Sequence, residues 1–274
     1  LQQNTGPLQL PLNNLGINAI DYNGTSGIAT SIGHAPIPGL IKAEAGSILA
    51  VAEALTNLVW APLKHGLSGV ALSANWMWSS NSQGEATRLY QAVKGLSDFA
   101  IELGISVPTG KDSLFMTQQY PDGKKVIAPG TVIVSAVAEV EDIKQTVQPY
   151  LKHVNNSSLI FVRFTKDKFA LGGSSLYQTL NAIGDEVPYV SDANYFSKVF
   201  NLIQDFIKSE YILAGHDISA GGMITALLEM CFPNPNIGLD INLAEIEEQD
   251  IIKLMFNESP GVLIQTNHSK AVVD

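Results

Sequence analysis

Apolar residues recur at helical spacing in two long segments of the N-terminal half. The first segment, Ile41 to about Leu63, predicts a helix whose apolar face is formed by Ile48, Val51, Ala52, Leu55, Leu58 and Val59. The second predicts a helix over about Glu85–Leu103. Before them, the two prolines of His34–Pro38 predict an extended connector, because proline disrupts a helix.

Short apolar runs bounded by turn-forming residues predict strands in the same half. The expected strands are Gly16–Asp21, Ser68–Ser73, Val107–Ser113 and Thr131–Val140, and the last is the clearest β run in the chain.

The C-terminal half repeats this alternation after the acidic and polar stretch Glu141–Asn156, which predicts a domain boundary near residue 150. The expected strands are Leu159–Phe164, Tyr211–Ala214, Gly238–Ile241 and Gly261–Gln265. The expected helices are one opened by Gly172–Ser174, then Ala193–Ile207, Met223–Phe232 and Ala244–Phe256. Alternating strands and helices predict an α/β or α+β fold with domains 1–150 and 151–274.

Composition excludes several classes of protein. With 46% hydrophobic and 15% charged residues, the 274-residue chain is too apolar for a disordered protein. A net charge of −10 disfavours nucleic acid as a partner, and no apolar run approaches the roughly 18 residues that cross a membrane. The single cysteine, Cys231, excludes an internal disulfide framework and multi-cysteine metal sites, so we expect a reducing, cytoplasmic setting.

The two ends of the chain suggest that it is a piece of a longer protein. It begins at Leu1 instead of methionine, and it ends just after the apolar run Ala271–Val273. We therefore expect missing partners.

Glu53 and Asn57 form the first candidate for chemistry. They lie four residues apart, so they share one side of the first long helix, opposite its apolar stripe. Carboxylate and amide oxygens are ligands that suit Mg²⁺. A solvated polar face is the alternative that spacing alone leaves open.

The segment Gly215–Gly222 (GHDISAGG) is a stronger candidate, because it follows an apolar strand and precedes a helix. Free backbone N–H groups at such a turn favour phosphate, and Asp217 at the strand end could hold a metal. An ordinary strand-to-helix turn is the alternative.

Two further turns carry weaker signals. Gly172–Ser175 (GGSS) opens a helix after a strand, although one such motif is little evidence for phosphate binding. Gly110–Ser113 (GKDS) resembles the end of a Walker A loop, but Ile105 stands where that loop requires its first glycine. What remains is a turn with a cation, a carboxylate and a hydroxyl, which suits a phosphate or a reacting carbonyl.

The histidines and the cysteine add no further candidate. None of the five histidines has the spacing of a metal-binding motif. Cys231 lies at an apolar helix end and not at a nucleophile elbow, so no thiol amidotransferase centre is expected here.

Six segments occur in one order along the chain: Ala50–Asn57 (AVAEALTN), Leu72–Trp78 (LSANWMW), Gly110–Leu114 (GKDSL), Leu171–Ser174 (LGGS), Gly215–Ser219 (GHDIS) and Phe256–Glu258 (FNE). Together they resemble the family of large, single-chain phosphoribosylformylglycinamidine synthases. The similarity covers essentially the whole chain, which resembles the second of the two homologous synthetase halves in these enzymes.

The resemblance implies an α/β (α+β) fold like that of aminoimidazole ribonucleotide synthetase. Residues 1–150 would be an N-terminal domain that pairs into a barrel, and residues 151–274 a truncated C-terminal domain. It also implies part of an ATP-dependent ligase that converts formylglycinamide ribonucleotide and glutamine-derived ammonia into formylglycinamidine ribonucleotide in purine biosynthesis. The first synthetase half and the glutaminase domain would be the partners. The isolated piece would be inactive and could self-associate through its barrel face.

The resemblance also implies site residues. Glu53, Asn57 and Asp217 would hold Mg²⁺ at an auxiliary ATP/ADP site, with Ser219 beside the nucleotide. Asn14 would be a weak further ligand, because it stands where the family usually has an acidic residue.

The other implied residues are less similar to the family. Gly110, Lys111 and Ser113 match a turn that reaches the catalytic nucleotide and substrate, which makes Lys111 and Ser113 candidate catalytic residues. The smaller relatives have Asn where Lys111 stands. In the family, Asp is common at the position of Ala220, and Ser is usual at the position of Phe115. The N–H groups of Gly172, Gly173 and Ser174 are the remaining candidates for nucleotide binding.

Two alternatives remain. One is a non-catalytic structural half with a vestigial nucleotide site, which Asn14 supports. The other is a stand-alone kinase of the same superfamily, of the thiamine-monophosphate or selenophosphate type, although the NWMW and GKDSL segments argue against it.

Overall fold

A computed structural model of the chain describes residues 12–244, 246 and 248–273. Before residue 150 the elements are β1 Gly16–Ala19, β2 Gly27–His34, α1 Pro36–Ile41, α2 Ala43–Leu58, β3 Ala71–Met77, α3 Glu85–Leu103, β4 Ser106–Ser113, β5 Thr117–Gln119, β6 Lys125–Ile127 and β7 Thr131–Val140. Beyond it they are β8 Ser158–Arg163, α4 Ser175–Thr179, α5 Ala193–Lys208, β9 Ala214–Asp217, α6 Gly222–Cys231, α7 Ile251–Phe256, β10 Gly261–Thr266 and α8 Ser269–Val273. The predicted mixed α/β class is confirmed.

A five-stranded sheet in the order β1-β2-β7-β3-β4 forms the N-terminal part. Neighbouring strands in this sheet are antiparallel, except for β3 and β4. These two are parallel and therefore need the crossover that α3 provides. The exposed strand β4 lies at one edge, and β5 and β6 form a separate hairpin.

Helix α2 packs directly on strand β2, and a small residue makes this close approach possible. A Cβ atom at Gly33 would lie 2.1 Å from the Ala50 carbonyl oxygen and 2.3 Å from the Ala54 nitrogen. The Ser31 hydroxyl donates a 2.6 Å hydrogen bond to the Ala54 carbonyl oxygen. The sheet thus fixes where the second half of α2 lies.

The other face of this sheet is open. Along β2, buried and exposed residues alternate, so every second side chain points away from α2. Apolar side chains on the open face include Ile32, which is 57% exposed, and Ile28 and Val137. This face carries apolar residues that no element of the described chain covers.

The second sheet, in the order β8-β10-β9, is antiparallel and holds the candidate loop. Its central strand β10 is buried along its whole length. Strand β9 pairs Asp217 with Val262 and Ala214 with Gln265, so the start of the 215–222 loop is part of the sheet.

One large core joins the two parts. It runs from Leu15 to Ile264 and includes Trp60 from the first part and Phe164 from the second. The buried Gln204 amide accepts a hydrogen bond from the Leu63 N–H (2.8 Å) and donates to the carbonyl oxygens of Val59 and Ala61. The domain boundary near residue 150 stays a prediction.

The predicted connector His34–Pro38 is wrong, because helix α1 occupies Pro36–Ile41. Pro36 is the first residue of that helix, and Pro38 lies in its first turn, where backbone N–H groups have no intrahelical partner to lose. Strand β2 was not predicted, because the positions between its β-branched residues are filled by glycine, alanine and serine, which are not typical of strands.

Two predictions in the C-terminal half also fail. No strand forms at Gly238–Ile241, which is irregular and exposed. The helix predicted over Ala244–Phe256 is shorter, Ile251–Phe256, because the Asp250 side chain caps its start by accepting from the N–H groups of Ile252 and Lys253. Positions 245 and 247 lie outside the described residues.

Two strands begin three residues later than predicted, at Ala71 and Ala214. No helix in the described ranges is long and apolar enough to cross a membrane.

Candidate nucleotide and metal site

Two polar side chains project from α2, although most residues of that helix are buried. The Glu53 Oε2 atom accepts a 3.1 Å hydrogen bond from the His34 N–H, and the Asn57 Nδ2 atom donates to the Ile32 carbonyl oxygen at 3.2 Å. Both side chains therefore contact β2, and a freely solvated face does not describe them. Within the described residues, the Asn57 side-chain oxygen has no hydrogen-bond partner.

Asp217 lies at the end of β9 and is 2% exposed. The close approach of β9 to Trp60 depends on Gly215, because a Cβ atom there would lie 2.0 Å from the Trp60 ring. Since β9 is held both by β10 and by this contact, the position of Asp217 follows from packing.

A hydrogen bond joins the α2 pair to the β9 loop. The Ser219 hydroxyl donates to Glu53 Oε1 at 2.8 Å, although the two residues are 166 positions apart in the chain. The structure therefore brings Glu53 into contact with the acidic loop, while the metal and nucleotide roles of these residues stay predictions.

Opposing effects act on the pKa values of Glu53 and of the neighbouring His216. Burial raises the pKa of Glu53, and the nearby Asp217 carboxylate raises it further, while hydrogen bonds from His34 and Ser219 act in the opposite direction. Burial also disfavours the charged form of His216, but contacts with Asp217 and Glu229 outweigh this and raise the pKa of its imidazole to about 9.

Asn14 packs against Asp217. Its hydrogen-bond neighbours assign the amide orientation: the nitrogen donates to Asp217 Oδ1 at 3.1 Å, and the oxygen accepts from Trp60 Nε1 at 2.7 Å. The same nitrogen lies 3.2 Å from His216 Nδ1. Both ends of the Asn14 amide therefore contact protein groups.

Two cavities meet at the β9 loop. The larger, of about 930 Å³, is lined by Asn14, Asn57 and Asp217 and extends over the open sheet face at Ile32. The smaller, of about 220 Å³, is lined by Glu53, Gly173 and Glu258. Ser219 and Ala220 line both cavities, so the loop separates Glu53 from Asn57 as seen from the solvent.

The N–H groups at Gly172–Ser175 already have partners. Gly172, Gly173 and Ser174 donate to the carbonyl oxygens of Glu186, Ile183 and Leu171. Ser175 N–H donates to Glu258 Oε1 at 2.7 Å, and the Ser174 side chain caps α4. The nucleotide contact predicted for Gly172, Gly173 and Ser174 would require one of these hydrogen bonds to break.

The predicted turn at Gly110–Ser113 is wrong, because these residues are extended and form the end of the exposed strand β4, paired with β3. The Lys111 ammonium donates to the Ser113 hydroxyl and, at 3.4 Å, to the Asp112 carbonyl oxygen. Gly110 and Lys111 line a separate cavity of about 500 Å³ with Trp76. The structure therefore does not bring Gly110, Lys111 and Ser113 to Asp217.

A metal at Asp217 would be held by a mixed set of oxygen donors. No cluster of three or more His, Cys, Asp or Glu side chains suited to a metal occurs in the described part of the chain. The predicted donor set is instead two carboxylates and one amide, from Glu53, Asp217 and Asn57. Among the described residues, the buried Asp217 Oδ2 atom has no hydrogen-bond partner, which fits an oxygen kept for a cation.

The comparisons with known proteins agree with this architecture. Residues 1–139 match the family model described as the FGAR-AT PurM_N-like domain, and residues 166–272 match AIR synthase related protein, C-terminal domain. The chain belongs to the FGAR-AT PurM_N-like family.

Two curated relatives of this FGAR-AT PurM_N-like chain are phosphoribosylformylglycinamidine synthases. The chain is 40% identical over 279 residues to the synthase of Dictyostelium discoideum, a match that covers 98% of this chain and 20% of the relative. It is 38% identical over 285 residues to the probable synthase of Caenorhabditis elegans, covering 99% of this chain and 21% of the relative. The chain thus spans about a fifth of the length of these proteins.

A solved structure shares the fold. T. maritima PurL complexed with ADP superimposes with a TM-score of 0.67 over 99% of this chain and 39% of that chain, at 16% identity. At this identity the match is evidence for the fold alone.

Three residues near the site carried no predicted role. Glu258 accepts from the N–H groups of Ser175 and Gly221 through one oxygen, Oε1. His216 and Glu229 form an ion pair at 3.0 Å. Because Glu229 lies on α6, twelve residues beyond Asp217, only the packing of α6 against the end of β9 reveals this contact.

Proposed function

We propose that the chain is part of an ATP-dependent ligase that converts formylglycinamide ribonucleotide and glutamine-derived ammonia into formylglycinamidine ribonucleotide. Its own contribution would be a nucleotide site with Mg²⁺ held by Glu53, Asn57 and Asp217. The observation that supports this most strongly is the Ser219–Glu53 hydrogen bond, because it brings Glu53 of α2 against the loop that follows Asp217. Two curated relatives are named phosphoribosylformylglycinamidine synthases, which supports this reaction.

The charges of the residues fit a divalent cation. Burial, and then the nearby Asp217 carboxylate, disfavours the charged form of Glu53. A bound Mg²⁺ supplies the positive charge that neutralises transferring phosphate groups. The chain's own residues orient it: Ser219 fixes Glu53, and the Ile32 carbonyl oxygen fixes Asn57 through its amide nitrogen.

The large cavity offers room for a nucleotide beside these residues. Its volume of about 930 Å³ lies within the range of ordinary ligand pockets. PurL of T. maritima, which shares the fold, has been solved with ADP. We therefore propose that ATP or ADP binds along the open sheet face, with its phosphates towards Asp217 and Ser219.

The open sheet face also favours a macromolecular partner. Its apolar residues Ile28, Ile32 and Val137 are exposed, which is costly in water unless another surface covers them. We propose that the upstream synthetase half packs here and that the isolated chain self-associates through the same face. The isolated chain would have no synthase activity, because the other half and the ammonia source are missing.

The alternative is a structural half with a vestigial site. Asn14 favours it, because a neutral amide stands beside Asp217 and both of its ends contact protein groups. Such a half would keep the fold and lose Mg²⁺-dependent nucleotide binding.

Calorimetric titration of the chain with ADP, with Mg²⁺ and again with EDTA, tests the proposal. We expect binding only with Mg²⁺, and a higher Tm with ADP·Mg²⁺, because a ligand at 100 times its Kd stabilises a protein by about 2.7 kcal/mol. Failure to bind ADP, together with an unchanged Tm and no nucleotide released on denaturation, would overturn the nucleotide site.

A further inference from the structure

The two oxygens of Asp217 have different surroundings. Oδ1 lies 3.1 Å from His216 Nδ1 and accepts a 3.1 Å hydrogen bond from the Asn14 amide. Oδ2 is buried and has no hydrogen-bond partner among the described residues. Oδ1 is therefore held by protein groups, while Oδ2 is available to a ligand such as a cation.

His216 connects Oδ1 of Asp217 to a second carboxylate, that of Glu229. His216 is 6% exposed, and its other ring nitrogen, Nε2, lies 3.0 Å from Glu229 Oε2. The imidazole thus lies between two carboxylates: it is hydrogen-bonded to Asp217 on β9, and its Nε2 atom is within ion-pair distance of Glu229 on α6 but outside hydrogen-bond geometry. Asn14 is held as well, because its oxygen accepts from Trp60.

We propose that Glu229 and His216 are positioning residues that, together with Asn14, hold Oδ1 of Asp217 and thereby direct Oδ2 to the cation. This inference rests on the Mg²⁺ site of the proposed function. Glu229 acts through His216 and does not itself touch the cation.

The physical reason is the freedom of a carboxylate. An Asp side chain without such contacts rotates about its terminal bond and offers either oxygen in many directions. Hydrogen bonds on one oxygen remove that freedom, so the direction of the other is set before the cation arrives. Partners that orient a metal ligand typically contribute 10–100-fold to metal affinity.

Glu229 could instead act on the cation directly or only through its charge, and these roles predict a different dependence on His216. Glu229 is partly exposed and lines the large cavity, so it could ligate the cation itself or attract it from a distance. Either role would be independent of His216. A positioning role depends on His216, because the imidazole is what connects Glu229 to Asp217.

A double-mutant cycle separates these roles. The variants are Glu229→Gln, His216→Asn and the pair, all made in the full 274-residue chain. The substitution Glu229→Gln keeps the length of the side chain and removes its charge. His216→Asn keeps a nitrogen donor near Asp217 Oδ1 and removes the group that reaches Glu229. Glu139→Gln is the control for charge, because Glu139 pairs with Lys64 on the surface.

The probe is Mn²⁺ in the presence of ADP, with bound Mn²⁺ measured by electron paramagnetic resonance and folding checked by Tm. We expect Glu229→Gln to weaken Mn²⁺ binding about 10-fold at unchanged Tm. In the His216→Asn background the same substitution should change binding by less than about twofold, because the link is already absent. The Glu139→Gln control should bind like the wild type.

Each outcome counts for or against the proposal. Equal binding by Glu229→Gln and the wild type, or the same loss in both backgrounds, would overturn the positioning role alone. No Mn²⁺ binding by the wild type would overturn the proposed function itself. If His216→Asn does not fold, Glu229→Asp replaces it. Glu229→Asp keeps the negative charge but moves it away from His216 Nε2. A positioning role therefore predicts weaker Mn²⁺ binding by this variant, whereas a pure charge effect predicts unchanged Mn²⁺ binding.

Discussion

Two regions that carry predicted site residues differ in how far the chain itself organises them. In the inner centre, Glu53, Asn57, Asp217 and Ser219, every side chain is hydrogen-bonded to another part of the fold, and the Asp217 carboxylate is buried. The second region is Gly110–Ser113, which we call the outer turn after its predicted form. It is the end of the exposed edge strand β4. In the described residues, the Lys111 ammonium donates hydrogen bonds only to its neighbours Asp112 and Ser113.

The difference indicates what each region needs in order to act. The inner centre has its geometry without any ligand, so this chain alone should bind there. The outer turn presents a cation whose hydrogen bonds, within the described chain, stay inside the turn itself. Any role in catalysis would require groups supplied by a partner.

The largest expected effect is on the support of the inner centre. Gly33→Val places side-chain atoms against the Ala50 and Ala54 backbone, which cannot move without displacing α2 and Glu53. We expect a loss of about 3 kcal/mol in the free energy of unfolding, measured by urea denaturation. Lys111→Ala in the outer turn should change it by less than about 0.5 kcal/mol. Equal stability of the two variants would contradict the comparison.

The next largest expected difference between the two regions is in their effect on nucleotide affinity. Asp217→Asn removes the charge of the buried oxygen that has no partner in the described chain, so ADP·Mg²⁺ affinity should fall about 100-fold by calorimetry. Lys111→Ala should leave it within about twofold, because an exposed cation contributes little. The reverse order would place the nucleotide at the outer turn.

Glu53→Gln should have opposite effects on the free and the liganded chain. Because burial and then Asp217 raise the pKa of Glu53, its ionised form destabilises the fold at neutral pH when no cation is present. We expect a higher Tm for this variant without Mg²⁺ and a smaller rise on adding ADP·Mg²⁺, both measured by scanning fluorimetry. A lower Tm in the free chain would show that the hydrogen bonds of Glu53 outweigh the repulsion.

The smallest effect tests a lysine outside both regions. Burial lowers the pKa of Lys152 from 10.5 to about 8, so its charged form is disfavoured in the folded state. Between pH 8 and 10.5 the unfolded chain binds more protons at this group, and stability from Lys152 should rise with pH. Lys152→Gln should flatten the dependence of Tm on pH in this window. Lys111→Ala serves as the matched control, and an equal flattening there would contradict the assignment.

The parts of the fold that were predicted well are those with strong periodicity. Helix α3 and strand β7 have the bounds that the pattern predicts, Glu85–Leu103 and Thr131–Val140. Helix α1 was missed because Pro36 and Pro38 are tolerated in a first turn, a position that the sequence does not reveal. Strand β2 was missed because packing on α2, not β propensity, selects its small residues.

The inner centre was predicted in part. Spacing and the resemblance indicated Glu53, Asn57 and Asp217, and their predicted roles stay predictions until binding is measured. His216 and Glu258 lie in two of the segments that carry the resemblance but were given no role, and Glu229 had no such signal. Their partners are chosen by how α4, α6 and β9 pack, and the sequence spacing of these elements carries no information about it.

The sequence by itself determined the alternation of strands and helices, the amphipathic character of α3 and the presence of an oxygen-rich pair on α2. These follow from local periodicity, which acts over a few residues. Only the tertiary structure decided that Ser219 reaches Glu53 and that, within the described chain, Oδ2 of Asp217 is left without a partner. The physical reason is that burial and close approach depend on the whole core, where Gly33 and Gly215 let distant segments come into contact.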